Sequence, residues 1–194
     1  TTETLSKNKG ESPQDKIYLS IMGEVYDVTR GKQHYGPGQS YHSFVGRDSS
    51  RAFITGQVTD NSDEILDLAP LELLDLLSWR DFYRTHKEYT YVGKLIGRYY
   101  DATGKKTSYY LDVEKQIEEG IKIKKQKDAQ NVKYPPCNVR WQKDQGTEVW
   151  CSTQSGGVDR SWIGYPRRFF TPLFKKQMHF VTGGGNGDGQ LEER

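Results

Sequence analysis

Gly31-Lys32-Gln33-His34-Tyr35-Gly36-Pro37-Gly38-Gln39-Ser40-Tyr41-His42-Ser43-Phe44-Val45-Gly46-Arg47-Asp48 is the stretch on which the reading of this 194-residue chain turns. Gly36, Pro37 and Gly38 stand between two tyrosines, Tyr35 and Tyr41. Glycine reaches backbone conformations closed to other residues and proline fixes φ, so the chain bends sharply here and presents both phenols from one loop. Composition leaves two roles open for them: walls of a core that bond through their hydroxyls, or ligands of a group held beside the loop.

Outward from that loop the chain reads as short elements. Ile17 to Met22 and Glu24 to Val28 are β-prone runs on either side of Gly23, which predicts a tight hairpin. Ser49-Ser50 precede an apolar turn through Arg51, Ala52, Phe53 and Ile54, and Asp63 to Leu68 give a second short helical pattern. Pro70 opens the clearest helix: Leu73, Leu76, Leu77 and Tyr83 recur at three- to four-residue spacing, and proline suits a first helical position. Tyr89 to Ile96 return to strand chemistry and close a first domain over residues 15 to 105.

From Ser108 a long helical pattern puts Val113, Ile117 and Ile121 on one stripe, with Glu118-Glu119 early and Lys122, Lys124, Lys125 and Lys127 late. That order of charge complements the helix dipole and marks a solvated face. Beyond Pro135-Pro136, Cys137 to Trp141 and Thr147 to Cys151 flank Lys143-Asp144-Gln145-Gly146, a hairpin whose folding brings Cys137 to Cys151. We expect a disulfide there; closing a loop of about 15 residues is worth roughly 3 kcal/mol in the chain-entropy model. Such a bond belongs to an oxidising compartment, so the protein is expected to be secreted or in the endoplasmic reticulum lumen; the alternative is two buried free thiols in the cytosol. Residues 106–181 thus read as a helix plus a Cys-bearing extension packed on the first domain, with Trp141, Trp150, Trp162, Phe169 and Phe170 supplying its apolar area. Residues 1–14 and 183–194 read as flexible ends.

The formal charge of +2 and the absence of a concentrated basic face argue against nucleic acid as a partner. No apolar run reaches the roughly 18 to 20 residues of a membrane span, so the chain reads as soluble, and membrane association would run through a segment outside it. Two cysteines fourteen apart and four unpaired histidines, His34, His42, His86 and His179, make no zinc motif. Phosphate-cradling loops, a serine nucleophile turn and a Cys-His pair are all missing, so no catalytic residue is assigned and the chain is expected not to be an enzyme.

Four ordered motifs carry a resemblance. Ile21-Met22-Gly23-Glu24-Val25-Tyr26-Asp27-Val28-Thr29, Tyr35-Gly36-Pro37-Gly38-Gln39-Ser40-Tyr41, Gly46-Arg47-Asp48-Ser49-Ser50-Arg51 and Tyr91-Val92-Gly93-Lys94-Leu95 resemble the membrane-associated progesterone receptor family, a branch of the cytochrome b5-like haem proteins. The match runs from about Lys16 to Ile96. It implies an α+β, cytochrome b5-like haem-binding domain, here followed by the long helix and the disulfide-bearing hairpin. It also implies one haem b whose iron takes Tyr41 as axial ligand, with Tyr35 supporting it and Tyr89 a third cofactor-binding residue. Glu88 stands where the family often carries a lysine, with Lys87 one step earlier, and Lys87 is not carried over. A haem-dependent signalling role in neuronal differentiation, through an unknown protein partner or receptor, is the function implied. The rivals are a redox accessory to a haem monooxygenase and a haem-free module for an apolar ligand such as a steroid.

Elementary chemistry accommodates that ligand. A free phenol has a pKa of about 10, and a ferric ion beside its oxygen favours loss of the proton. An anionic oxygen favours ferric over ferrous iron and lowers the reduction potential relative to His/Met ligation. Tyr35 is expected to donate a hydrogen bond to the Tyr41 oxygen. His34 and His42, which flank the two tyrosines, are the rival ligands.

Overall fold

In the computed structural model, which describes residues 1–169 and 179–183, β1 (Tyr18–Ile21) and β2 (Glu24–Asp27) pair antiparallel with Ile21 opposite Glu24. Met22 and Gly23 form the turn with φ of 51° and 73°, the doubly left-handed conformation whose twist matches that of paired strands, and the reason glycine occupies the second place. β3 (Thr90–Lys94) joins β2 antiparallel, with an irregularity at Val25/Tyr26, giving the order β1-β2-β3.

The outer side of β1 is covered by the segment after the tyrosine loop. Ser20 N donates to Arg47 O (3.0 Å) and Ser49 N donates to Ser20 O (3.0 Å). Between them the buried Asp48 carboxylate accepts four hydrogen bonds. Oδ2 takes the Ser20 hydroxyl (2.7 Å) and Gly23 N (2.7 Å); Oδ1 takes the Ser50 hydroxyl (2.5 Å) and Ser50 N (3.1 Å). The Ser50 hydroxyl oxygen also accepts from Met22 N at 2.7 Å. Burial pushes the Asp48 carboxyl above the usual range while these donors pull the other way.

Helix α4 (Pro70–Thr85) buries Leu73, Leu76 and Tyr83 in the core with Ile17, Leu19, Ile21 and Tyr26 of the sheet region. Each of the two fully buried leucines contributes roughly 2 kcal/mol by burial. Pro70 stands at the helix start as expected, and the Glu72 carboxylate accepts from Ala69 N at 2.7 Å, filling one orphan donor there. Short helices α1 (Thr2–Ser6), α2 (Lys32–Tyr35) and α3 (Ala52–Thr55) complete the first half, and α5 (Ser108–Lys133) follows.

Several expectations need correction. Asp63 to Leu68 form turns rather than a helix, because side chains claim the backbone groups a helix would use. Tyr99 donates to Asp63 O (2.6 Å), Ile65 N donates to the Tyr109 hydroxyl (2.6 Å), and Gln116 donates to Leu66 O (2.9 Å). Residues 1–14, read as loose, include α1, whose Leu5 is buried beside Val25 and Leu95, and a bridge from Lys9 to Ile17. The compact unit therefore spans Thr1–Ile123, with a second from Lys124, and the break falls inside α5 rather than near residue 105. Tyr110, Val113 and Ile117 tie the first part of α5 to the first core; Gly120 takes the next buried position, and Ile121, expected there, is exposed.

In the second unit β4 (Asn138–Gln142) and β5 (Gly146–Trp150) pair in the expected register, and the Cys137–Cys151 disulfide joins their ends with a Cα–Cα distance of 4.8 Å. β6 (Tyr165–Phe169) and β7 (His179–Gly183) form a further antiparallel pair that the sequence did not announce. Trp141, Trp150 and Trp162, expected as core, are exposed; the first two lie on the two-stranded ribbon, which has no interior of its own, and Trp162 on the bend before β6. Phe170 lies outside the described residues, as do residues 184–194.

Asp48→Asn is expected to lower the unfolding free energy by about 2 kcal/mol. Each carboxylate oxygen accepts a backbone N–H, so an amide NH2 meets a donor whichever way it turns. Urea unfolding followed by far-UV circular dichroism checks this.

Candidate functional site

The tyrosine loop closes on itself. Gln39 N donates to Gly36 O (3.0 Å) across Pro37 and Gly38, with Gly38 at φ 78°, and Tyr41 N donates to His34 O (3.1 Å). The loop thereby delivers Tyr35 inward and Tyr41 outward: Tyr35 is buried, and Tyr41 is 53% exposed. The two rings remain neighbours at 6.1 Å between centroids.

Between this loop and α4 lies a cleft of about 400 Å³. Phe44, Phe53, Trp79 and Phe82 make its apolar walls; Tyr35, Tyr41, Tyr83 and Tyr89 bring four phenols to it, and His34 and His86 stand at it. Ala52 and Gly56 complete the lining, which contains no lysine, arginine or carboxylate among the described residues. Phe53 packs on Phe44 (5.0 Å) and Trp79 (5.7 Å), linking α3 to α4.

The inner end of the cleft is a hydroxyl cluster. Tyr35 and Tyr83 hydroxyls lie 2.6 Å apart, and the Tyr89 hydroxyl interacts with that of Tyr35. Burial pushes both Tyr35 and Tyr83 well above an ordinary phenol, so each is a protonated donor at neutral pH. The sequence reading brought Tyr35, Tyr41 and Tyr89 together, and the structure brings them to one cleft. It partners the Tyr35 hydroxyl with Tyr83, which the reading had counted as an apolar position of α4. His42, one rival ligand, turns back on its own loop: its Nδ1–H donates to Tyr35 O at 2.9 Å, and it does not line the cleft.

Trp79, Phe82, Tyr83 and His86 escaped the sequence reading as site residues, although they recur at i, i+3, i+4 and i+7. That stripe on one edge of α4 was the available sign. Behind it, Arg84 holds the helix to the sheet through a bidentate pair with Glu24, whose Oε2 also accepts from the buried Tyr26 hydroxyl at 2.6 Å. Tyr26 in turn packs on Tyr83 at 5.6 Å.

The donor set fits a haem. A flat macrocycle needs apolar walls, and four aromatic residues provide them; ferric iron takes a hard oxygen, and the exposed Tyr41 phenol offers one. Tyr41, Tyr35 and Tyr89, which all line the cleft, are the candidates that would hold and orient such a group.

A fold of this kind with a cleft of this lining defines a small-ligand-binding domain, and comparison gives its class. A family model described as a cytochrome b5-like heme/steroid binding domain matches residues 1–96. The chain belongs to this family, in its membrane-associated progesterone receptor branch. Among individual proteins it is similar to the neuferricins. Neuferricin of Danio rerio is 45% identical over 174 residues, covering 89% of this chain and 64% of that protein. The neuferricin homolog of Drosophila pseudoobscura pseudoobscura is 47% identical over 176 residues, covering 88% and 60%. A solved structure, a hypothetical protein from Arabidopsis thaliana described as having a cytochrome b5 like fold, is 32% identical. It covers 50% of this chain and 89% of that one, with a TM-score of 0.44. The chain thus spans less than two thirds of the length of these curated relatives.

Burial alone would raise the Glu24 carboxyl, but the Arg84 guanidinium and the Tyr26 hydroxyl hold it below its ordinary value of 4.5. A carboxyl depressed in this way adds stability above that value and loses it as pH falls through the lower, folded one. Glu24→Gln is expected to cost about 1 kcal/mol at neutral pH, with allowance made for the half-exposed Arg84. The gap from wild type closes as pH drops below 4.5 in urea unfolding series.

Proposed function

We propose that the cleft binds one haem b with the Tyr41 oxygen as axial ligand of the iron, and that the protein is a haem-dependent signalling or carrier protein rather than an enzyme. The single observation that carries this is the position of Tyr41: an exposed phenol at the mouth of a cleft whose walls are otherwise aromatic and uncharged. Haem bound here supplies a ferric centre that favours an anionic oxygen.

This chain's residues supply the rest. Phe44, Phe53, Trp79 and Phe82 exclude water from the faces of the ligand. The Tyr35 and Tyr83 hydroxyls share a hydrogen bond and the Tyr89 hydroxyl meets that of Tyr35, which anchors the Tyr35 ring beside that of Tyr41. In this arrangement Tyr35 holds Tyr41 in place while being held itself. The Cys137–Cys151 disulfide supports a secreted or endoplasmic reticulum lumenal location, the setting for a role in neuronal differentiation through a protein partner.

The test is a haemin titration of the purified protein followed by its absorption spectrum. Wild type is expected to give a high-spin ferric spectrum with a phenolate-to-iron charge-transfer band. Tyr41→Phe keeps the ring and removes the oxygen, so the band is lost while the far-UV circular dichroism is unchanged. Tyr35→Phe weakens binding by roughly 10 to 100-fold, the usual cost of losing a residue that orients a metal ligand, and Tyr41→Phe by more. Retention of the band in Tyr41→Phe assigns the iron to another residue. Absence of any haem spectrum, with uptake of a neutral steroid instead, gives the cleft to an apolar ligand.

A further inference from the structure

Haem carries two carboxylates, and a carboxylate leaving an apolar cleft needs a donor at the rim. The described lining holds no lysine or arginine. Only two of the lining side chains carry nitrogen donors suited to the task besides the indole of Trp79, namely His34 and His86. They differ in how firmly they are held. His34 is exposed, with its ring 6.4 Å from that of its neighbour Tyr35. His86 is half-buried, closes the end of α4 through His86 N donating to Phe82 O (2.9 Å), and stacks on Tyr89 at 4.0 Å and 17°. Its ring also packs on Phe82 at 5.0 Å.

The tautomer follows from one further contact. Glu88 N donates to His86 Nδ1 at 3.2 Å, so Nδ1 is the acceptor and the proton of the neutral ring sits on Nε2. A donor of fixed orientation among the residues that line the cleft, its ring stacked on that of Tyr89, is a ready partner for an anionic oxygen.

We propose that His86 selects a carboxylate-bearing ligand for this cleft, its Nε2–H donating to one carboxylate of the haem. This rests on the haem reading above, and it makes His86 a specificity residue against neutral ligands of similar shape. Lys87 and Arg84 are exposed neighbours on the same turn and Glu88 is a nearby carboxylate, while the His86 ring is the one held in orientation, by its stack on Tyr89 and the bond from Glu88 N.

The experiment compares haemin with haemin dimethyl ester, which keeps the macrocycle and iron and removes both anionic charges. Affinities are read by absorption titration of the whole chain. Wild type is expected to prefer haemin by about tenfold or more, the usual size of a hydrogen bond to a charged group. His86→Phe keeps an aromatic ring against Tyr89 and loses the donor, so the ratio of haemin affinity to ester affinity collapses toward one. His86→Gln, which keeps an N–H donor, restores part of the preference and serves also if the phenylalanine variant folds poorly. A His86→Phe protein with the full wild-type preference, or an equal collapse with His34→Gln, overturns the assignment of His86. Failure of wild type to bind either porphyrin overturns the haem reading itself.

Discussion

The Asp48 carboxylate is the constraint on which the rest of the first unit depends. A buried anion is costly unless its oxygens are filled, and here two hydroxyls and two backbone amides fill them. Those donors come from β1, from the β1–β2 turn and from the start of the segment leading to α3, and the carboxylate ties the three together. Once they are fixed, both ends of the tyrosine-bearing stretch are fixed as well. Ser20 and Gly23 lie upstream of it and Asp48 and Ser50 downstream. The geometry of Tyr41 is thus set from behind, by hydrogen bonds that take no part in the cleft.

The cleft divides its labour by depth. At its inner end Tyr35, Tyr83 and Tyr89 spend their hydroxyls on one another, and burial keeps Tyr35 and Tyr83 protonated. Toward the rim the walls become hydrocarbon, and the one strongly exposed phenol is that of Tyr41. The Glu24–Arg84 pair keeps α4, which carries half of the wall, against the sheet. Helix and loop belong to one hydrogen-bonded framework, so the two sides of the cleft are set relative to each other before a ligand arrives.

Much of this was legible in the sequence wherever the determinant was local. Gly23 announced the hairpin, Pro70 the start of α4, and the Lys143 to Gly146 turn the pairing of Cys137 with Cys151. The bend through Gly36, Pro37 and Gly38 announced that Tyr35 and Tyr41 share a loop. What stayed hidden depended on distant partners. Asp48 stood inside a motif, but its spacing from Ser20 and Gly23 gives no sign of which donors it meets. Asp63 to Leu68 carry a helical pattern, and three side chains from Tyr99, Tyr109 and Gln116 overrule it. Tyr83 satisfies the apolar stripe of α4 and the polar cluster at once, and periodicity registers only the first. The tryptophans of the extension were read by type alone, and residue type does not say whether a ribbon has anything to pack against.

The hairpin in the second unit has a different kind of independence. Its two sulfur atoms are 14 residues apart, and the ring they close encloses only β4, β5 and their turn. A ring that small is sealed by a meeting between near neighbours in the chain, with less closure entropy to overcome than a longer loop has. The carboxylate knot around Asp48, by contrast, gathers residues 25 to 28 positions apart. One unit is fastened by covalent chemistry acting over a short span, the other by hydrogen bonds acting over a longer one. Oxidation of the ribbon therefore does not wait for assembly of the ligand-binding unit, and the two can mature in either order.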